Sequence, residues 1–195
     1  MQPLRGSYWG RNFSGSIGSG GSAAPASSEQ GIKGIHKRAL RGDESIMRAV
    51  LQRVTQARVS VEGQIVGQIG AGITALVAVG RNDTAATAAA IAEKILNLRI
   101  FNDEQGKMNL SLLDTHGELL AISQFTLYGD ARGQRRPSFI QAAPPDQGKA
   151  LYEELVRAAQ ALGVRVATGI FQTHMSVEIT NDGPVTILLD SEKVF

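Results

Sequence analysis

Residues 73–79 read ITALVAV, an almost unbroken apolar run held between Gly72 and Gly80. Seven residues suit a strand better than a helix. A strand without a polar face belongs at the centre of a sheet, covered on both sides. The rest of the chain has to supply that cover. Strands are expected at 47–54 (MRAVLQRV), 58–61 and 64–69, with Glu62-Gly63 as the turn signal before the third. A helix is expected from about Thr84 to Leu98: Ile91, Ile95 and Leu98 repeat at i, i+4, i+7, and Asp83 or Thr84 can cap it. Residues 119–124 form a further buried strand. A second helix over 146–162 carries Leu151, Leu155, Ala158 and Leu162 on one stripe, Asp146 near its start, and Gly163 to end it. Strands at about 164–168, 175–180 and 185–190 complete the pattern. The expected fold class is α/β: mixed, largely antiparallel β-sheets forming a layered or barrel-like core, with two helices packed on one side.

This patterning begins only at Met47. Residues 1–46 contain nine Gly and eight Ser without hydrophobic periodicity, a composition that cannot bury enough apolar surface to offset its ordering entropy. They read as a disordered extension preceding a domain at 47–195. Arg5 and Arg11 without an acid in the first 28 residues resemble a transit peptide, while a start assigned upstream of Met47 is the plainer explanation. The expected location is cytoplasmic, or an organelle if the extension is a targeting segment. The extension also explains the basic pI near 9.1: residues 1–46 hold six Lys/Arg against three acids, whereas 47–195 hold fourteen against fifteen, a balance of −1. The domain is therefore not globally basic, and composition gives no argument for nucleic acid. No apolar run approaches the roughly 20 residues of a membrane-spanning helix, so no membrane partner is expected. The chain has no cysteine, which excludes disulfides, thiolate metal sites and a cysteine nucleophile. Neither a metal nor a cofactor is expected.

Few segments carry a chemical signal. Gly70-Ala71-Gly72 leads into a strand instead of a helix, so it is a hairpin turn and not a dinucleotide loop. His116 sits between Thr115 and Gly117 as a turn residue. His174 could serve a hydroxyl as general base, yet no G-x-S-x-G elbow exists for a serine triad. Residues 122–130 (ISQFTLYGD) place Ser, Gln and Thr at the end of a buried strand. They read either as ordinary half-buried strand residues or as a pocket wall. Residues 180–186 (TNDGPVT) read locally as strand-turn-strand.

Taken together with LQRV at 51–54, RIFNDEQGKMNLS at 99–111, RGQRRPSF at 132–139, LYEEL at 151–155 and TGIFQTHMSVEITNDGPVT at 168–186, these segments fall in the order found in the D-aminoacyl-tRNA deacylases. The chain resembles that family from Met47 to about Leu189. The resemblance implies a hydrolase that releases D-amino acids from tRNA and spares L-amino acids, a proofreading activity in translation. It also implies a homodimer with its active sites at the subunit interface, and a tRNA acceptor end as partner. Ser123, Gln124, Phe125 and Thr126 match the segment lining the pocket for the terminal adenosine and ester. Gly183 and Pro184 match a cis Gly-Pro pair that reaches into the other subunit's pocket and selects chirality with backbone carbonyls, so that achiral glycine would pass. Arg53 matches a residue that steadies that loop, and Phe171 and Met175 the segment that cradles adenine. One departure is Gln172, where the family more often has Gly. Pro184 separates the chain from a related branch with Gly-Thr. Intact Ser123, Gln124, Thr126, Gly183 and Pro184 argue against a non-catalytic RNA-end binder.

Overall fold

The computed structural model describes residues 47–133 and 135–192; the expected extension at 1–46 lies outside the described residues. Strand β1 runs unbroken over Arg48–Val61, joining what the sequence pattern separates into 47–54 and 58–61. The exposed pair Thr55-Gln56 looks like a break, but strands pair with β1 along its length and hold it extended. Its first half sends Ala49 and Leu51 into one apolar cluster, and its second half sends Val54, Ala57 and Val59 into another. One strand thus feeds both faces of the sheet.

The turn after β1 places Glu62 and Gly63 at φ 50° and 80°, the paired positive dihedrals that match hairpin twist. Strands β2 (Gln64–Ile69) and β3 (Gly72–Ala78) then return antiparallel along the same edge of β1, sharing one register after a shift at Val59/Ser60, with Ile69 opposite Ala57 and Gly72 opposite Val54. The glycines at 70 and 72 are therefore not a hairpin turn. They are a bend within the return leg. Their smallness serves a close approach: a side chain on Gly72 would occupy the backbone of Glu118, and the Gly70 N–H donates to Glu118 Oε2 at 2.8 Å. That bond, with Arg165 at 2.6 Å from the other carboxylate oxygen, holds the Glu118 carboxyl below its usual pKa range.

Helix α1 (Ala85–Asn97) starts at Thr84, whose hydroxyl accepts from Thr87 N–H at 3.2 Å. Asp83, the other capping candidate, instead accepts from Gly80 N–H. A small ribbon, β4 (Phe101–Asn102) and β5 (Met108–Leu110), precedes β6 (Glu118–Ser123), which lies parallel to β3. After a 3-10 turn at Phe125–Tyr128, helix α2 (Pro145–Ala161) leads to β7 (Val166–Thr168), parallel to β6. Both parallel steps need crossovers, and α1 and α2 lie in them. The helices cover one face of the sheet with Ile91, Ile95, Leu96, Tyr152 and Leu155. The other face closes over Val54, Val59, Leu120 and Ile122, because the sheet curls until β2 meets β7: a side chain on Gly67 would strike the Thr168 carbonyl.

Strand β8 (Ser176–Asp190) follows the free edge of β1 as one strand where the sequence pattern suggests two. Asn181 pairs with Val54 and Thr186 with Gln52, so four residues, Asp182 to Val185, face the single Arg53. The expected strand-turn-strand is a bulge. The Asn-Asp-Gly-Pro chemistry ejects a loop sideways, and the pairing resumes because β1 continues beneath it.

Candidate active site

β6 is buried from Leu119 to Ile122 and emerges at Ser123. Three apolar side chains there (Leu119, Leu120 and Ile122), each contributing about 1.5–3 kcal/mol on burial, fix the strand and therefore where its end points. The Gln124 N–H still donates to the β3 carbonyl of Val77 at 2.7 Å, so the departing chain stays pinned. Arg48 braces the 3-10 turn that follows: Nη1 donates to the Leu127 carbonyl at 3.0 Å, and the guanidinium lies 4.6 Å from the centre of the Tyr128 ring. The N–H groups of Phe125 and Thr126 open this turn, where a helix leaves its first donors without an intrahelical acceptor.

A cavity of about 840 Å³ opens at this strand end. Ser123, Gln124 and Phe125 form one wall. Pro144, Pro145 and Gly148 at the start of α2 form another, held beside β3 by the bond from Ala143 N–H to the Val79 carbonyl at 2.9 Å. The segment 171–175 closes the third side with Phe171, His174 and Met175. Phe171 leans on Tyr152 with ring centres 6.3 Å apart, and the Tyr152 hydroxyl donates to the Ala121 carbonyl at 2.8 Å, where burial raises its pKa. Gly169 leaves room for the Met175 sulfur. Gln172 adopts φ 58°, a left-handed conformation that glycine enters without a Cβ penalty.

The side-chain chemistry here is sparse. Thr126 is exposed, lies outside the lining, and its hydroxyl accepts from the Gln124 side-chain amide. His174 lines the cavity, yet among the described residues it has no hydrogen bond to Ser123, Thr126 or a carboxylate. No charge-relay arrangement is assembled among the described residues. Among the described residues no group of three His, Cys, Asp or Glu side chains is placed to hold a metal. No helix of the described residues is long and apolar enough to cross a membrane.

The D-Tyr-tRNA(Tyr) deacylase family model matches residues 50–190, all of this sheet but the first two residues of β1, and every wall of the cavity. The chain belongs to that family. It is 59% identical over 149 residues to the D-aminoacyl-tRNA deacylase of Thermosipho africanus and 60% identical over 149 residues to that of Fervidobacterium nodosum; each match covers 76% of this chain and 100% of the relative. A solved structure titled c-Myc DNA Unwinding Element Binding Protein superposes with a TM-score of 0.69 at 39% identity, covering 73% of this chain and 97% of that one.

Thr126 apart, which lies outside the lining, the residues singled out by the family resemblance divide into two groups. Ser123, Gln124, Phe125, Phe171 and Met175 share the cavity. Gly183, Pro184 and Arg53 do not line it; they belong to the β8 bulge. The Gly183–Pro184 bond is cis and Gly183 has φ 121°. Arg53, buried at its base, donates from Nε to the Asp182 carbonyl at 3.2 Å and pairs with the Asp182 carboxylate at 3.0 Å, while Nη1 donates to the Ile100 carbonyl at 2.6 Å. Arg81, Pro144, Pro145 and Gly148 are cavity residues that sequence reasoning missed. The Pro-Pro helix start was visible, but nothing in it indicated which surface the helix end would face.

Proposed function

We infer that this chain hydrolyses the ester joining a D-amino acid to the 3′ end of tRNA, the activity named in its relatives. The observation that carries this reading is the cavity at the end of β6, walled by Ser123, Gln124 and Phe125 inside a family match spanning residues 50–190. Its volume suits a terminal nucleoside bearing an amino acid. Water adds to the ester carbonyl, the resulting oxyanion takes hydrogen bonds from the Phe125 and Thr126 N–H groups, and the carbon–oxygen bond then breaks with the proton passing to the ribose oxygen. With no base bonded to Thr126 among the described residues, the backbone donors and the neighbouring ribose 2′-hydroxyl carry more of the work than the threonine side chain.

Chirality is read by Gly183 and Pro184. In a homodimer the bulge of one copy meets the cavity of the other, and backbone carbonyls receive the substrate's α-ammonium. An L-side chain then runs into backbone, whereas a D-side chain faces open space and glycine escapes the test. The reading places the enzyme in cytoplasmic translation quality control. The deciding measurement is hydrolysis of matched D- and L-aminoacyl-tRNA by the purified chain: the D-ester should be cleaved and the L-ester spared. Equal rates on both, or none on either, would refute the reading.

A further inference from the structure

The deacylase reading concerns the last nucleoside of the tRNA, and the chain has a feature placed to hold what precedes it. The Asp130 and Ser138 backbones bond to each other twice, at 2.9 Å in each direction, and close a loop beside the cavity. Phe139, which follows at once, lines the cavity and meets Phe125 edge-on with ring centres 5.2 Å apart. Within this loop lie Arg132, Arg135 and Arg136 against the single acid Asp130, a local balance of +2 in a domain whose residues 47–195 sum to −1.

Asp130 is already committed. Its carboxylate takes bonds from Arg132 Nε at 2.9 Å and Nη2 at 2.7 Å, which hold its pKa well below the carboxylate range. Arg135 and Arg136 are exposed, and among the described residues no carboxylate pairs with either. Arg136 stands three residues from Phe139, so its Cα lies within about 11 Å of that wall. A third cation, Arg81, sits on the cavity lining with Nε donating to the Ile140 carbonyl at 2.5 Å. The Phe125 ring, on the same cavity lining, is 56% exposed. Uncommitted guanidiniums on a loop adjoining an exposed aromatic face are the elements with which proteins track a single nucleic-acid strand: phosphates bind the cations and bases stack on the ring.

We propose that Arg135 and Arg136 bind the phosphodiester groups of the nucleotides immediately preceding the terminal adenosine, and so recruit the tRNA end to the cavity. This rests on the deacylase reading. The pair acts on substrate capture and has no part in the ester chemistry.

The test uses the full chain, D-tyrosyl-tRNA, and the D-tyrosyl ester of adenosine, which has no phosphate. For Arg135→Ala/Arg136→Ala, KM for the tRNA substrate at low salt should rise at least about tenfold. The slope of log KM against log salt should fall by about 1.4, roughly 0.7 for each single-strand phosphate that is no longer neutralised. The rate on the adenosine ester should stay within twofold of wild type, and Arg135→Lys/Arg136→Lys should recover most of the tRNA affinity, because a phosphate accepts a point charge. An unchanged KM and salt slope would overturn the proposal, as would an equal loss on both substrates, which would mark a structural defect. If wild type cleaved neither ester, the deacylase reading would fall and this inference with it; failure confined to the variant leaves the activity standing.

Discussion

The end of β6 follows buried strand residues and the middle of β8 follows half-exposed ones; each carries a short polar segment, and the fold treats the two oppositely. SQF at 123–125 is turned inward to form a cavity wall, pinned by the Val77 carbonyl and braced by Arg48. NDGP at 181–184 is pushed outward as a bulge, gripped from below by Arg53 and lining no part of that cavity. Both segments belong to one proposed active site. In the proposed homodimer, the pocket of one copy would receive the anchored projection of the other.

The sharpest way to break the comparison is Gly183→Ala. At φ 121° an added Cβ would lie 2.9 Å from Val185 Cγ2 and 3.2 Å from Arg53 Nη2, so the projection has to shift while the cavity walls stay put. D-aminoacyl-tRNA hydrolysis should fall about 10²-fold, the scale of a misplacement near 1 Å. An unaltered rate and D/L ratio would show that the bulge takes no part in the site.

Arg53→Met tests the anchor. It leaves the Ile100 carbonyl without its donor and frees Asp182, at a cost of about 1–3 kcal/mol in denaturant unfolding. The rate should fall about tenfold, roughly the effect of that much free energy lost from loop positioning. A stability loss without any rate loss would mean that the grip serves folding alone.

On the cavity side, Thr126→Ala should cost less than about tenfold, because among the described residues its hydroxyl bonds only the Gln124 amide. A tRNA ending in 2′-deoxyadenosine, with the amino acid on the 3′-oxygen, should lose about 10²–10³ in rate. The reverse ranking, or a trapped acyl-threonine, would replace the water mechanism with a nucleophilic one.

The smallest effect is expected at Gln172, whose left-handed backbone strains a residue with a Cβ. Gln172→Gly should raise stability by up to about 1 kcal/mol, net of the extra freedom glycine has when unfolded. Thermal unfolding would read it, and a clear loss of stability would show that the Gln172 side chain makes an interaction worth more than the strain.

Much of this molecule was legible before folding was considered. The run at 73–79 marked a central strand, Asp83 or Thr84 a helix start, Glu62-Gly63 a turn, and Gly163 a helix end; β3, the α1 cap at Thr84 and the two positive-φ turns follow. These signals are local, set by backbone dihedrals and side-chain period within a few residues. The order of the family segments likewise needed only the chain.

Tertiary structure decided the rest. Thr55-Gln56 and Asn181–Pro184 are compatible with a strand or a break, and strand β1, paired along both edges, settled both in favour of continuity. The grip of Arg53 on Asp182 spans 129 positions. The cavity draws Arg81, Pro144, Gly148 and His174 from separate segments because parallel crossovers return β6 and α2 to the same end of β3. Sequence fixes which conformations each segment can adopt at low cost. Which of them prevails, and which distant side chains become neighbours, depends on pairing and burial that exist only once the sheet has closed.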